Sequence, residues 1–144
     1  MVVWRGERLV HSPNNECPGE IELTELRSVR VLVVEDAWHV ATALKGLLQG
    51  LGMQVVGPAA TIVEAERLAA AHMPEVAVVD VNLKGEMAYG LVDQLHDSGV
   101  PVIVVSGYAV LPSLTEKAMV ILQKPFNGPD LVAALQNAIR SNRR

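Results

Sequence analysis

Five polar side chains in this sequence close hydrophobic runs, and together they could carry phosphoryl chemistry. Val31-Leu32-Val33-Val34 runs into Glu35-Asp36, and Val76-Ala77-Val78-Val79 runs into Asp80. Val102-Ile103-Val104-Val105 ends at Ser106, and Val120-Ile121-Leu122-Gln123 at Lys124-Pro125-Phe126. An unbroken β-branched run suits a strand covered on both faces. A polar residue closing such a run then lies at the strand's carboxyl edge, where open α/β sheets hold their ligands. For Asp80 alone a simple helix cap is an equal reading. The same placement at four run ends selects a site instead.

Carboxylates gathered in one crevice repel one another and raise their pKa values unless a cation joins them. Magnesium suits the residues, because it takes hard oxygen ligands, keeps several waters and uses one or two carboxylates plus a phosphate oxygen. Asp36 and Asp80 are assigned as direct ligands, Glu35 as a ligand through water, and the backbone carbonyl of Asn82 as a third protein oxygen. Ser106 adds a hydroxyl donor and Lys124 a compact cation. With these groups around one carboxylate oxygen, Asp80 is the candidate nucleophile and an aspartyl phosphate the candidate product. An acidic pair or a Lys-Pro would be weak in isolation. Their order at successive strand ends is specific.

The elements that must hold these residues alternate. After the first run, Val40, Leu44, Leu47, Leu48 and Leu51 follow a helical spacing that Gly52 is placed to stop. Residues 53–57 form a second strand, broken by Gly57-Pro58. Thr61-Ile62-Val63-Glu64 has the form of a capping box opening an Ala-rich helix. Lys84-Gly85 makes a turn, and 86–98 reads as a helix ended by Gly99. Between the last two strands the pattern is weakest: Pro112 limits any helix to a short one starting near Pro112 or Ser113. Asn127 caps a final helix striped by Leu131, Leu135, Ala138 and Ile139, with Pro129 and Asp130 in its first turn. Five strands alternating with helices predict a doubly wound α/β domain, a five-stranded parallel sheet with helices on both faces. The flavodoxin-like order 2-1-3-4-5 puts the ends of strands 1 and 3 at its switch point.

Composition bounds the rest. The 144 residues fit one domain with a single core, and a 50% hydrophobic but 3% aromatic content makes that core aliphatic. A net charge of -4 gives no basic field for nucleic acid. No stretch resembles a secretory core or a membrane span, and Cys17 is alone, so a cytoplasmic protein is expected. Residues 1–27 are rich in Pro, Gly and polar side chains and are expected to be a mobile extension, with Trp4, Ile21, Leu23 and Leu26 as apolar handles. The domain proper is expected to span 28–144. Beside the acidic pair, His39 reads as an exposed helix residue rather than one that tunes the pocket, Trp38 as surface packing rather than a reporter of metal binding, and His72 and His96 lack zinc spacing.

Glu35-Asp36, Asp80, Ser106 and Lys124-Pro125-Phe126 resemble the receiver domain of bacterial two-component response regulators over about residues 30–139. That resemblance implies that the phosphohistidine of a sensor histidine kinase, or of a phosphotransfer protein, donates to Asp80 with Mg2+ required. It implies that Ser106 follows the phosphoryl group, that Lys124 pairs with it, and that Lys124-Pro125 is cis. Asp80-Val81-Asn82-Leu83, Val105-Ser106-Gly107-Tyr108 and Leu111-Pro112 are similar to an alphaproteobacterial single-domain subgroup with a Thr-Gly-Tyr-like motif. Here Ser106 replaces Thr and keeps the hydroxyl. Ile121 stands where many receivers carry an aromatic switch residue, so Tyr108 is the nearest aromatic that could move.

The expected function is therefore a phosphorylation-dependent protein-binding domain, or a phosphate sink, rather than an enzyme. Only four residues follow the last predicted helix, so output is expected through a downstream protein partner, with no DNA-binding domain in this sequence and no membrane insertion. Whether the domain forms a homodimer is left open. The alternative is a metal-dependent phosphatase or phosphotransferase with an aspartyl intermediate. It is disfavoured because Asn82, not a second acid, stands two residues after Asp80.

Overall fold

Every residue of the central run Val76–Asp80 is buried, as a strand covered on both faces requires. A computed structural model describes residues 25–107 and 120–142. The strands are β1 (Arg30–Val34), β2 (Gln54–Ala59), β3 (Val76–Asp80), β4 (Asn82–Leu83), β5 (Glu86–Met87), β6 (Val102–Ser106) and β7 (Val120–Gln123). Among the described residues the helices are α1 (Trp38–Gly50), α2 (Ile62–His72), α3 (Tyr89–Asp97) and α4 (Gly128–Asn142). The main sheet is parallel throughout, in the order β2-β1-β3-β6-β7. Apart from the inserted β4-β5 hairpin, this is the expected flavodoxin-like order.

Alternation along each strand divides the core in two. Val31, Val33, Val76, Val78, Ile103 and Val105 pack with Leu44 and Leu48 of α1 and with Leu131, Leu135 and Ile139 of α4. Leu32, Val34, Ala77, Val79, Val102 and Val104 pack on the other face with Ala65 of α2 and Leu91, Val92 and Leu95 of α3. The single core expected from chain length is thus two, because a sheet buried on both sides has one on each.

Three boundaries differ from the sequence reading. Leu26 is fully buried in the α1/α4 core, and Glu25 forms an ion pair with Arg140 at 3.2 Å. The packed domain therefore includes residues 25–27, which the sequence reading gave to the extension. Residues 1–24, with Trp4 and Cys17, lie outside the described residues. So do residues 108–119, which hold Tyr108 and the expected short helix at Pro112.

Second, β2 does not break at Gly57-Pro58. It continues to Ala59 through a cis Gly57–Pro58 bond, with a register shift opposite Leu32–Val34. Gly57 has φ 98°, and a Cβ there would meet Ala59 N at 2.8 Å and Val33 O at 3.0 Å, so only glycine fits this turn of the strand. The consequence reaches the site: Ala59 O accepts the N–H of Glu35 at 2.9 Å and fixes the chain where β1 ends. Third, residues 86–88 are not helical. Glu86–Met87 is a strand paired antiparallel with Asn82–Leu83, and α3 begins only at Tyr89.

Two caps form as read. Thr61 Oγ1 accepts from the Glu64 N–H at 3.1 Å while Glu64 Oε1 accepts from the Ala60 N–H at 3.0 Å, and Asn127 Oδ1 accepts from the Asp130 N–H at 2.8 Å. The second cap starts α4 four residues after Lys124, so β7 and α4 together set where the lysine stands. No helix among the described residues is long and apolar enough to cross a membrane.

Candidate functional site

Parallel pairing in register brings the run ends together. Asp80 pairs with Val105 and Ser106 with Gln123, so Asp80, Ser106 and Lys124 lie at adjacent carboxyl edges of β3, β6 and β7. Glu35 and Asp36 follow β1, the other neighbour of β3. Glu35, Asp36 and Asp80 each offer an oxygen within 4.8 Å of the others. Glu35, Asp80 and Ser106 are buried, and Asp36 is half-buried.

Lys124 Nζ donates to Asp80 Oδ2 at 3.0 Å and to Glu35 Oε1 at 3.2 Å. Asp80 Oδ1 accepts the Asn82 N–H at 3.0 Å, and Glu35 Oε2 accepts the Ala37 N–H at 3.2 Å. Each oxygen of these two carboxylates therefore has a defined donor. The Ser106 carbonyl accepts the Lys124 N–H at 2.7 Å, and Lys124–Pro125 is cis as the resemblance implies. Asn82 uses its side chain differently: Oδ1 accepts the Gly85 N–H at 2.8 Å.

Charge balance explains the titration of the site. Burial first, then the hydrogen bond and charge of Asp80, push Glu35 up to about 7, against the opposing Ala37 amide and Lys124 charge. Burial of Lys124 opposes its charged form, but the hydrogen bond to Asp80 and the charges of Asp80 and Glu35 outweigh it and raise its pKa. One lysine does not neutralise three carboxylates. The donor set is all hard oxygen, without His or Cys, and leaves room in charge for a divalent ion of the magnesium type.

A pH effect follows for the metal-free protein. Glu35 has a folded pKa above its ordinary value of 4.5, so its protonated form stabilises the fold fully below 4.5, and that contribution is lost as pH rises through about 7. With a chelator present, Glu35→Gln should show a flatter stability profile over this window than the parent chain. Denaturant unfolding at a series of pH values checks this, and parallel profiles would exclude the buried proton.

His39 is exposed, as read, and Trp38 is 76% accessible at the start of α1. Beside Lys124, an apolar groove of about 570 Å³ is lined by His39, Val40, Leu44, Leu47 and Phe126 among others. Ile121 packs on the α2/α3 side of the sheet. Two features escaped the sequence reading: the Ala37 amide that holds Glu35, and the β4-β5 hairpin. Asn82 three residues before Gly85 is a side-chain-to-backbone capping spacing that could have revealed the hairpin.

Comparison with known proteins agrees with this geometry. Residues 31–136 match the family described as response regulator receiver domain. The chain is 28% identical over 116 residues to the transcriptional regulatory protein PdtaR of Mycobacterium tuberculosis, covering 76% of this chain and 56% of PdtaR. It is 29% identical over 123 residues to the phyllosphere-induced regulator PhyR of Methylorubrum extorquens, covering 82% of this chain and 46% of PhyR. The chain thus spans about half the length of these curated relatives. Among solved structures, a CheY-like receiver domain protein from Methanospirillum hungatei superposes with a TM-score of 0.73 at 26% identity, covering 80% of this chain and 96% of the other.

Proposed function

The chain belongs to the response regulator receiver domain family, and from that premise we propose that Asp80 accepts a phosphoryl group from the phosphohistidine of a sensor histidine kinase or phosphotransfer protein. The observation that carries this reading is the placement of Asp80 between two donors, the Asn82 amide on Oδ1 and Lys124 on Oδ2, in a crevice shared with Glu35 and Asp36. A carboxylate oxygen of Asp80 attacks phosphorus, the phosphorus–nitrogen bond of the donor breaks, and the imidazole leaves with its electron pair.

Asp36 and Asp80 directly, Glu35 through water and the Asn82 carbonyl would hold a magnesium ion. When bound, that ion neutralises charge on the phosphoryl oxygens. Lys124 already stands at the carboxylate and pairs with the new anionic oxygens once the phosphoryl group is in place. The Ser106 hydroxyl, buried at the next strand end, is drawn toward the same group. The apolar groove beside Lys124 gives a phosphodonor protein a surface next to the acceptor. Phosphorylation then changes a protein-binding surface, or the domain drains phosphate from its donor.

Stoichiometry separates this reading from the enzyme. With Mg2+ and a small phosphodonor in excess, one phosphoryl group per chain is expected on Asp80. Rapid turnover of simple phosphate esters, with no phosphorylated chain accumulating, would favour the phosphatase instead.

A further inference from the structure

The hairpin after Asp80 is held by more than its two short strands. Its tip places Lys84 at φ 53° and Gly85 at φ 87°, both left-handed, between the paired residues Leu83 and Glu86. Left-handed φ at both central positions is what a two-residue hairpin loop of type I′ requires, and it is met best by Asn-Gly. Lysine in that region is disfavoured by about 1–2 kcal/mol. Strands of two residues add little to offset this. The bond from the Gly85 N–H to Asn82 Oδ1, at 2.8 Å, closes the same loop, and the Ala88 N–H to Val81 O bond, also 2.8 Å, closes its base.

We propose that the Asn82 side chain is a positioning residue: by tying down the strained Lys84-Gly85 tip it fixes the Asn82 backbone, whose N–H holds Asp80 Oδ1 at 3.0 Å. With Lys124 on Oδ2, both oxygens of Asp80 are then oriented before any ligand arrives. The side chain acts through the hairpin, because the atom that engages the tip is its Oδ1, which accepts the Gly85 N–H. The inference deepens the reading of Asp80 as phosphoacceptor and rests on it for its consequence, while its first readouts need no phosphorylation.

The test uses the full chain. In metal-free protein, Asn82→Ala should speed exchange of the Ala88 amide, whose bond to Val81 O closes the hairpin's base, and its Mg2+ affinity, read from Trp38 fluorescence or calorimetry, should fall about tenfold, as for partners that orient metal ligands. Adding Lys84→Asn, which suits the left-handed tip and touches neither carboxylate, should restore both. Gly85→Ala is the second variant: a Cβ there meets nothing within 4 Å, so it strains the tip by its φ alone and should act in the same direction as Asn82→Ala. Weakened binding that stays weak after Lys84→Asn has restored Ala88 protection would show a direct role for the side chain and overturn the proposal. So would lost protection with unchanged affinity. A parent chain that binds Mg2+ but takes up no phosphoryl group would instead fail the proposed function and leave these readouts intact.

Discussion

Asp36→Ala is expected to abolish magnesium binding, and with it phosphorylation, in a chain that still folds. Asp36 contributes one of the three oxygens gathered within 4.8 Å, is half-buried just beyond the end of β1, and belongs to neither core cluster. Its removal takes a proposed direct ligand and a charge from the site but no packing from the sheet. Changes to partners outside the ligand shell cost about 10–100-fold in metal affinity, so loss of a ligand itself should exceed about a hundredfold. Calorimetric titration with Mg2+ and the intact mass after exposure to a small phosphodonor check both halves. Phosphorylation at the parent rate would remove Asp36 from the site.

Lys124→Ala should have the second largest effect, in two parts. In the metal-free chain it leaves buried Glu35 and Asp80 without their shared cation, which should cost about 1–3 kcal/mol at neutral pH. Part of that loss should return when the pH falls or Mg2+ is added, since either relieves the same uncompensated charge. Phosphorylation should slow by about 10²–10³, the usual effect of deleting one preorganised donor at a site of developing negative charge. The coupling of phosphorylation to shape should weaken more than the fold does. Chemical denaturation, phosphorylation rates and the exchange difference at Ser106 and Gly107 between the two states measure these parts. A chain that no longer folds under any of these conditions would mark Lys124 as structural.

Runs such as Val76-Ala77-Val78-Val79 were legible because a strand buried on both faces leaves no polar position until its end. The ends therefore announced Glu35, Asp36, Asp80, Ser106 and Lys124, and the parallel register brings them to one crevice. Local geometry was less legible. Residues 86–87 carry good helix formers, but the bond from Asn82 to Gly85 and the left-handed tip turn them into a strand. Gly57-Pro58 reads as a break, yet the cis bond and the register shift carry β2 on to Ala59, where it anchors Glu35. Leu26 sits in a polar stretch, and only the packed α1/α4 core shows why it is apolar. Nothing in the sequence marked Gln136, which α4 buries with neither side-chain amide atom hydrogen-bonded among the described residues.

The central claim is that Asp80 is the residue that takes the phosphoryl group. The most direct measurement is the intact mass of the parent chain and of Asp80→Asn after incubation with Mg2+ and a small phosphodonor, with and without chelator. The parent should gain one phosphoryl group only when Mg2+ is free, and the acid-stable, hydroxylamine-resistant background should be the same in both chains. Asp80→Asn, which keeps the size of the side chain and loses its nucleophilic charge, should gain none. Equal uptake by the variant, or uptake by the parent at another residue, would contradict the assignment of Asp80.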